Sequence, residues 1–504
     1  MNLYEIIYSN EYKSNFPVKN LEIENISTSP ENIDAKTLFV IIKSINFDVN
    51  KIIDYVISKK PAAIICNKEL TIESTYIPIL KTDNTRSLLP FLYSRFYRID
   101  YSKMKFTAVT GTNGKTTTPT MLSHILSSSG KKVGFIGTGK IIIDGKQIND
   151  SQYSMTTPDP SLLYAVIKDM EICGCDTVVM EVSSHALHFD KVLPIPFEIA
   201  IFTNLSPEHM DFHKNMETYY KTKLKLFSQT KIGIFNMDDE YSRKAESEVL
   251  CQKHSIGIIN NAESFARDII QNGLYGSEYI FCESNKLFKV KLSLGGAYNI
   301  YNSMLAIKAA LELGIKPCDA KNAISKLHSI DGRLETISNA PTVIIDYAHT
   351  EDALLNILKT AYSNKTMGQK LTVVFGCGGD RDTLKRPKMA AIAEKYSDFV
   401  IVTTDNSRTE PETKIIKDIL KGFSYPKKHK VISSRKDAIE YAVINADASD
   451  IVIIIGKGHE RYNIDKNGYH SFDERKIIKD AIDKRKDENH ILNENNTVCT
   501  VNAK

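Results

Sequence analysis

The segment VTGTNGKTTT, residues 109–118, combines side chains that can hold phosphate groups. It follows the apolar run KFTA and precedes a stretch with helical spacing, so we expect it to connect a strand to a helix. Gly111 and Gly114 allow backbone N–H groups to turn toward an anion. Lys115 adds a positive charge, and Thr116 offers a hydroxyl to Mg²⁺. The first glycine of the longer G-x-x-x-x-G-K-[ST] pattern is missing, and a tight strand-to-helix turn is the structural alternative. The flanking strand and helix favour a phosphate site.

Two further strand-like runs, MEVSSH and TNLSPEHMDFH, end in carboxylate and imidazole side chains. These side chains and their polar neighbours are Glu181, Ser183, Ser184, His185, Glu208, His209, Asp211 and His213. A single histidine in such a position is usually a hydrogen-bonded loop residue. Carboxylates and imidazoles at successive strand ends beside a phosphate loop instead predict a magnesium–nucleotide site, since the metal must neutralise charge on the transferring phosphoryl group.

A chain of 504 residues is long enough for several domains, because single cores rarely exceed about 250 to 300 residues. Residues 1–98 contain a strand–helix–strand unit and predict a small N-terminal α/β domain. Strands alternate with helix-length stretches over residues 99–330, which predicts a central α/β domain with a parallel sheet that carries the phosphate loop. The alternation restarts over residues 331–485 and predicts a C-terminal Rossmann-like domain with ligands at the strand ends. Residues 486–504 lack an apolar period and are expected to be disordered.

Composition excludes several classes of function. The net charge is only +4, without a basic stripe, so no nucleic-acid partner is expected. No apolar run approaches the roughly 18 residues of a membrane span, and the start of the chain has no secretory pattern. The 8 cysteines are scattered, which favours reduced thiols over a metal site. We therefore expect a cytoplasmic protein. We also expect a monomer with small-molecule substrates.

Several segments together resemble the Mur ligase family, the ATP-dependent amide-forming enzymes of peptidoglycan assembly. They are GTNGKTTT, MEVSSHAL, TNLSPEHMDFH, GAYNIYNSMLA and DGRLE, and the resemblance spans roughly residues 105 to 480. Four more segments, DYAHTEDAL, FGCGGDRD, DNSRTE and GKGHE, are similar to those of the MurE-type ligases. These enzymes add the third residue to UDP-N-acetylmuramoyl-L-alanyl-D-glutamate. The resemblance implies a three-domain α/β ligase that activates a carboxylate as an acyl phosphate.

The resemblance assigns ATP, Mg²⁺ and catalysis to the following positions. The ATP-binding residues would be Gly111, Thr112, Asn113, Gly114, Lys115, Thr116, Thr117, Asn302, Arg333 and Asp346. The catalytic residues would be Lys115, Glu181, His209 and Lys223, and the metal ligands Thr116, Glu181, His209 and, if carbamylated, Lys223. Lys223, in YYKTKLKLF, aligns with a lysine that the family converts with CO₂ to a carbamate. The alternative is that the lysines of this segment lie on a solvated helix face.

For the amino acid that is added, the resemblance implies a pocket formed by Arg381, Asp405, Asn406, Arg408, Gly456 and Glu460. Ligases specific for meso-diaminopimelate carry D-N-P-R, and this chain has DNSR at residues 405–408. The arginine can bind the distal carboxylate of diaminopimelate with two hydrogen bonds. L-Lysine lacks that carboxylate and would leave the arginine unpaired. Diaminopimelate is therefore favoured, with L-lysine as the alternative.

The acceptor site departs most from the family pattern. Ser29, Thr156, Thr157, Ser184 and Lys191 are the candidate contacts to the UDP-linked substrate. Lys191 stands where the family usually has arginine, and the arginine and glycines of the usual uridine segments are missing from residues 27–52. Either the N-terminal domain binds the same nucleotide by other contacts, or the carboxylate acceptor differs. A catalytically silent binding protein and a simple P-loop NTPase or kinase are the remaining alternatives.

Overall fold

The structure is a computed structural model that describes residues 1–8, 11–15, 21–42, 50–72, 76–148, 155–284 and 286–485. The expected disordered tail, residues 486–504, lies outside the described residues, as does most of the segment KSINFDVNKI at residues 43–52. Three α/β units follow one another along the chain, each built on its own sheet.

The N-terminal unit has a five-stranded sheet in the order β1-β5-β4-β3-β2. Its strands are β1 Lys13–Ser14, β2 Asn25–Ser27, β3 Thr37–Val40, β4 Ala63–Asn67 and β5 Ile79–Thr82, and its helices are α1 Leu3–Ile6, α2 Asn50–Ser58 and α3 Thr85–Phe96. All neighbouring strands are parallel except β1, which pairs antiparallel with β5. Helix α3 begins after Asn84, whose side chain accepts hydrogen bonds from the backbone N–H groups of Arg86 and Ser87.

The central unit has an eleven-stranded sheet in the order β16-β15-β14-β13-β12-β11-β6-β10-β7-β8-β9. Its strands are β6 Lys105–Thr110, β7 Val133–Gly137, β8 Lys140–Ile143, β9 Lys146–Gln147, β10 Thr177–Glu181, β11 Phe197–Phe202, β12 Thr230–Asn236, β13 Gln252–Gly257, β14 Ser264–Gln271, β15 Ser277–Glu283 and β16 Lys286–Leu292. Its helices are α4 Thr117–Ser128, α5 Pro160–Ile172, α6 Ser184–His188, α7 Met210–His213, α8 Met216–Leu224, α9 Glu240–Glu248, α10 Ala297–Glu312 and α11 Pro317–Ser325.

The middle of this sheet is parallel and buried on both faces. Phe106 and Ala108 of β6 pack into one apolar cluster with residues of α5, whereas Val109 packs into another with residues of α4 and α10. Antiparallel strands extend both edges, with β8 and β9 on one side and β15 and β16 on the other. The sequence pattern predicts the parallel strands but not these antiparallel extensions.

The C-terminal unit has a six-stranded sheet in the order β17-β18-β22-β19-β20-β21 and a separate hairpin. Its strands are β17 Glu335–Asn339, β18 Thr342–Asp346, β19 Leu371–Phe375, β20 Phe399–Val402, β21 His429–Val431 and β22 Ile451–Ile455, and the hairpin is β23 Tyr462–Asp465 with β24 Gly468–Ser471. Its helices are α12 Glu351–Ser363, α13 Lys385–Lys395, α14 Glu412–Leu420 and α15 Arg435–Ile444, followed by a helix over residues 474–485. Only β17 is antiparallel to its neighbour in the six-stranded sheet.

The predicted α/β class is therefore confirmed, with three mostly parallel sheets. Because parallel strands present their carboxyl ends at one edge, each sheet can place loop residues together there. Among the described helices, none combines the length and apolar character needed to cross a bilayer.

Candidate active site

The phosphate loop connects the end of β6 to the start of α4, as the glycine pattern predicts. Gly111 has φ +144° and Gly114 has φ +82°. A Cβ atom on Gly111 would lie 1.9 Å from Thr203 Oγ1, and one on Gly114 would lie 2.4 Å from Asn302 Oδ1. Larger residues would clash at both positions, so glycine is required. The loop leads directly into a helix N-terminus, whose free N–H groups favour anions.

Lys115 lies inside a cavity of about 890 Å³ that runs between the central and C-terminal units. Its Nζ donates a hydrogen bond to Thr112 O at 2.5 Å and lies 4.0 Å from Glu208 Oε2. Glu208 also accepts a 2.8 Å hydrogen bond from His349 Nε2, across the boundary between the two units. Burial opposes ionisation of Glu208, but Lys115 and His349 hold the pKa of this carboxyl well below its usual range.

Glu181 at the end of β10 is fully buried and faces the phosphate loop. It accepts hydrogen bonds from Thr116 Oγ1 at 3.0 Å and from Thr138 N and Oγ1, both at 3.0 Å. Burial raises the pKa of this carboxyl. Arg333 reaches the same threonine from the C-terminal unit, because its Nη2 donates to Thr116 Oγ1 at 2.9 Å.

His209 lies at the start of α7 in a left-handed backbone conformation, with φ +56°. Its Nε2 is 3.8 Å from Glu208 Oε1. Burial lowers the pKa of His209 to about 3, so its ring is neutral near pH 7 and has a lone pair available for a metal.

The candidate metal ligands do not form a closed protein cage. Within the ranges that the structure describes, no three His, Cys, Asp or Glu side chains form a metal-binding cluster. Only Thr116 and Glu181, of the four predicted ligands, contact one another directly. Mg²⁺ in nucleotide sites takes one or two carboxylates and completes its shell with phosphate oxygens and water. A hydroxyl, a carboxylate and a nearby neutral imidazole therefore fit a metal that binds together with ATP.

Lys223 on α8 is buried beneath the phosphate loop. Its Nζ donates to Gly111 O at 2.7 Å and lies 4.7 Å from the centre of the Tyr219 ring. Burial, reinforced by repulsion from Lys115, shifts the pKa of Lys223 well below its usual range. The neighbouring Lys221 is 70% exposed and pairs with Glu217 at 3.3 Å. The structure thus separates one buried lysine from the solvated ones.

Of the remaining predicted ATP residues, Asn302 belongs to the central unit and Asp346 to the C-terminal unit. Asn302 on α10 accepts from Thr118 Oγ1 at 3.2 Å. Asp346 at the end of β18 accepts from Leu334 N and Ala348 N, both at 2.7 Å, and burial raises its pKa. A further bridge joins Asn113 Nδ2 to Asp352 Oδ2 at 2.9 Å. Together with the Arg333 and His349 contacts, the Asn113–Asp352 bond brings the C-terminal unit against the phosphate loop.

All six residues predicted for the amino-acid pocket line the same cavity as the phosphate loop: Arg381, Asp405, Asn406, Arg408, Gly456 and Glu460. Arg408 Nη1 donates to Gly379 O at 2.9 Å and to Asn406 O at 3.3 Å. Within the described ranges, its Nη2 contacts no protein acceptor and is available to a ligand.

Gly456 also lines this pocket, with φ +124°, and a Cβ atom there would lie 2.4 Å from Asp405 Oδ2. Arg381 is an exposed residue on the cavity wall. The pocket therefore combines an arginine edge available to a ligand with a glycine that leaves no room for a side chain.

The predicted acceptor residues divide into two groups. Thr156, Thr157, Ser184 and Lys191 line the cavity, whereas Ser29 does not. The Ser29 backbone N–H donates to Ser27 Oγ at 3.1 Å in a turn after β2. The structure thus brings the central-unit candidates together and leaves Ser29 apart from them.

Arg86, which no sequence pattern singles out, lies at the border between the N-terminal and central units. Its guanidinium is 4.4 Å from the centre of the Phe189 ring, and Phe189 lines the cavity. The adjacent Ser87 Oγ donates to Asp190 Oδ2 at 2.7 Å. These contacts join residues about a hundred positions apart, for which a single sequence contains no signal.

Comparison with known proteins identifies the family. A family profile described as "Mur ligase middle domain" matches residues 109–310, and one described as "Mur ligase, glutamate ligase domain" matches residues 332–458. A curated relative from Clostridium acetobutylicum, named UDP-N-acetylmuramoyl-L-alanyl-D-glutamate–2,6-diaminopimelate ligase 1, is 36% identical over 486 residues, covering 96% of this chain and 99% of its own.

A relative from Clostridium botulinum, named UDP-N-acetylmuramoyl-L-alanyl-D-glutamate–2,6-diaminopimelate ligase, is 38% identical over 488 residues, with 96% and 99% coverage. A solved structure under the same enzyme name superposes with a TM-score of 0.66 at 28% identity, covering 92% of this chain and 95% of that one. The relatives match along nearly their whole length, including the N-terminal unit. The chain therefore belongs to the Mur ligase family.

Proposed function

We propose that this chain is the ATP-dependent ligase that adds meso-diaminopimelate to UDP-N-acetylmuramoyl-L-alanyl-D-glutamate in peptidoglycan precursor synthesis. One observation carries the proposal: the phosphate loop around Lys115 and the pocket around Arg408 line one cavity. A simple NTPase or kinase would need no such second pocket. The names of the full-length relatives agree with this activity.

The proposed reaction has two steps. The γ-phosphoryl group of ATP is transferred to the side-chain carboxylate of the D-glutamate residue, giving an acyl phosphate and ADP. The amine of diaminopimelate then attacks the activated carbonyl, and the tetrahedral intermediate collapses to an amide and inorganic phosphate. Lys115 and the loop N–H groups hold the phosphates, and Arg333 adds positive charge beside Thr116.

Mg²⁺, when bound, would neutralise charge on the ATP phosphates. Thr116, Glu181 and His209 are the proposed protein ligands, because they present a hydroxyl, a carboxylate and a neutral imidazole near the loop. The contacts between the central and C-terminal units would exclude water from the acyl phosphate.

We further propose that Lys223 reacts with CO₂. Its depressed pKa favours the neutral amine, the form that can form a bond with the carbon of CO₂. The N–C bond forms as one C–O π bond breaks, a proton leaves the nitrogen, and the product is a carbamate anion. Such a carbamate would place negatively charged oxygen ligands beneath the phosphate loop. A protonated Lys223 at the same place would instead repel Mg²⁺ and Lys115.

An acyl phosphate can be tested by trapping. With ATP, Mg²⁺ and the UDP-dipeptide but no amino acid, hydroxylamine is expected to yield a hydroxamate of the acceptor, detected by its mass. Omitting ATP should abolish the product. Continuous release of phosphate from ATP without any hydroxamate would contradict a mechanism that activates the carboxylate.

The identity of the carboxylate acceptor distinguishes the proposed function from its main alternative. Since the usual uridine segments are altered, a ligase with a different carboxylate acceptor is the second candidate. We propose that Arg86 compensates by supplying positive charge near Phe189, a residue that lines the cavity. The diphosphate of the acceptor is the group that such a cation would contact.

Replacement of Arg86 by alanine is expected to raise the KM for the UDP-dipeptide about tenfold, the effect of losing one charge-assisted contact. The KM values for ATP and diaminopimelate should not change. Arg98→Ala is the matched control, because Arg98 belongs to the same unit, is 70% exposed and pairs with Glu5. Equal acceptor KM values in the two variants would argue against a role for Arg86.

We also propose that residues 1–98, 99–330 and 331–485 act as acceptor, ATP and amino-acid domains of a monomer. ATP and a nucleotide-linked acceptor are cytoplasmic metabolites, so the reaction would take place in the cytoplasm. Light scattering after size exclusion, with an expected mass near 56.7 kDa, tests the monomer.

A further inference from the structure

Lys457 is a buried lysine beneath the amino-acid pocket to which the proposed function assigns no role. It follows β22, and its side chain has 0% exposure. Its Nζ donates to Asn406 Oδ1 and to Tyr462 O, both at 2.8 Å, and lies 3.6 Å from Asp405 Oδ1. Three surrounding oxygens match the three N–H donors of an ammonium group.

These contacts determine how the Asn406 amide is oriented. Its Oδ1 accepts from Lys457 Nζ and also from Ile464 N at 2.9 Å. Both donors lie on the Oδ1 side, so Nδ2 must face the other way, where it donates to Glu460 Oε2 at 2.8 Å. Nδ2 has a second hydrogen, and Asn406 and Glu460 both line the cavity. The amide therefore presents a donor, and not an acceptor, to a ligand.

Lys457 also acts on the charge of Glu460, whose Oε2 lies 3.9 Å from Nζ. Burial raises the pKa of Glu460, and Asp405 raises it further, whereas Lys457 and the Asn406 hydrogen bond lower it. The titratable and charged groups that face Glu460 are Asp405, Lys457, Arg435, His349, Tyr347 and Tyr462. An ionised Glu460 can accept a charge-assisted hydrogen bond from the ammonium group of an amino acid. A protonated Glu460 lacks the negative charge that strengthens this bond.

We infer that Lys457 is a positioning residue for the amino-acid substrate, which orients the Asn406 amide as a donor and keeps Glu460 negatively charged. This inference rests on the proposed function, because it assigns the pocket to diaminopimelate. Lys457 acts through its neighbours, since its fully buried ammonium is enclosed by Asn406, Tyr462 and Asp405.

The test is the pH dependence of kcat/KM for diaminopimelate in three variants. Lys457→Met and Lys457→Gln remove the charge, and Lys457→Arg keeps it. Without the cation, the pKa of Glu460 rises further. Diaminopimelate binds more strongly above that pKa, where Glu460 is ionised, so the stronger binding is lost at a higher pH as the solution is acidified. We expect the acid limb of the profile, which is the fall in kcat/KM at low pH, to move up by about one pH unit in both neutral variants. The KM for diaminopimelate should rise about 10- to 100-fold at pH 7.5.

Three controls separate positioning from a general structural role. Lys457→Arg should keep the acid limb of the wild type even where its KM rises. Glu460→Gln should remove that limb, and adding Lys457→Met to it should cause no further shift. The KM for ATP should stay unchanged in every variant. Lys457→Gln, which retains a donor for Asn406, serves as the neutral variant if Lys457→Met does not fold.

The outcomes are distinct. Wild-type enzyme whose phosphate release does not depend on diaminopimelate would overturn the proposed function, and the inference with it. Normal wild-type turnover with an unmoved acid limb in the neutral variants, or an equal shift in Lys457→Arg, would overturn the inference alone.

Discussion

Replacement of Lys223 by glutamine is expected to lower kcat at least about 100-fold, the effect of losing a major electrostatic group in the active site. Lys223 lies under the phosphate loop, where its Nζ donates to Gly111 O at 2.7 Å. Glutamine is polar and of similar size but cannot form a carbamate. The KM for diaminopimelate should change little, because Lys223 lies in the central unit, apart from the Arg408 pocket. Steady-state phosphate release measures both constants.

Lys221→Gln is the matched control, because Lys221 lies on the same helix, two positions earlier, and is 70% exposed. Its kcat should stay within about twofold of the wild type, since exposed pairs contribute little. A mass increase on wild-type Lys223, stabilised by chemical trapping and absent from Lys223→Gln, would identify the carbamate. Full activity of Lys223→Gln would rule out the carbamate as a required group.

Replacement of Arg408 by alanine is expected to raise the KM for diaminopimelate about 100- to 1000-fold, as for truncation of one partner of a buried charge pair. The guanidinium already donates from Nη1 to Gly379 O at 2.9 Å, which fixes its plane in the pocket. A distal carboxylate can then bind its free Nη2 edge. The KM for ATP should remain unchanged, because the phosphate loop is built by other residues.

Arg461→Ala is the control for this variant, since Arg461 is an exposed arginine that follows the pocket residue Glu460 in the chain. Its amino-acid KM should equal that of the wild type. Arg408→Ala should also lose most of the preference for diaminopimelate over L-lysine, because that preference depends on the distal carboxylate. An unaltered preference would mean that another group reads the carboxylate, and Arg381 would be the first to examine.

Local sequence patterns predicted the part of the fold that local physics controls. The strand–glycine–helix order around Gly111 and Gly114 predicted the phosphate loop, because few residues tolerate positive φ and such close packing. The alternation of strands and helices predicted parallel sheets. It did not predict the antiparallel strands β15 and β16 at the edge of the central sheet, although KLFKVKL at residues 286–292 alternates as an antiparallel strand does.

The candidate site was less accessible from the sequence, because its contacts join distant segments. Nothing local indicates that Lys457 bonds to Asn406 or that Arg86 lies over Phe189. Composition also does not show which lysine of YYKTKLKLF is buried. Helical periodicity indicates Lys223, because this residue lies four positions after the buried Tyr219 and therefore on the same face of the helix.

The most direct test of the central claim is phosphate release from ATP with UDP-N-acetylmuramoyl-L-alanyl-D-glutamate as acceptor. Three reactions are compared, with meso-diaminopimelate, with L-lysine and with no amino acid, and the product masses are determined. We expect release that requires both the acceptor and diaminopimelate, together with the mass of the UDP-linked tripeptide. Release in none of the three reactions would contradict the assignment and point to a different carboxylate acceptor. Equal release in all three would also contradict it and point to a simple NTPase.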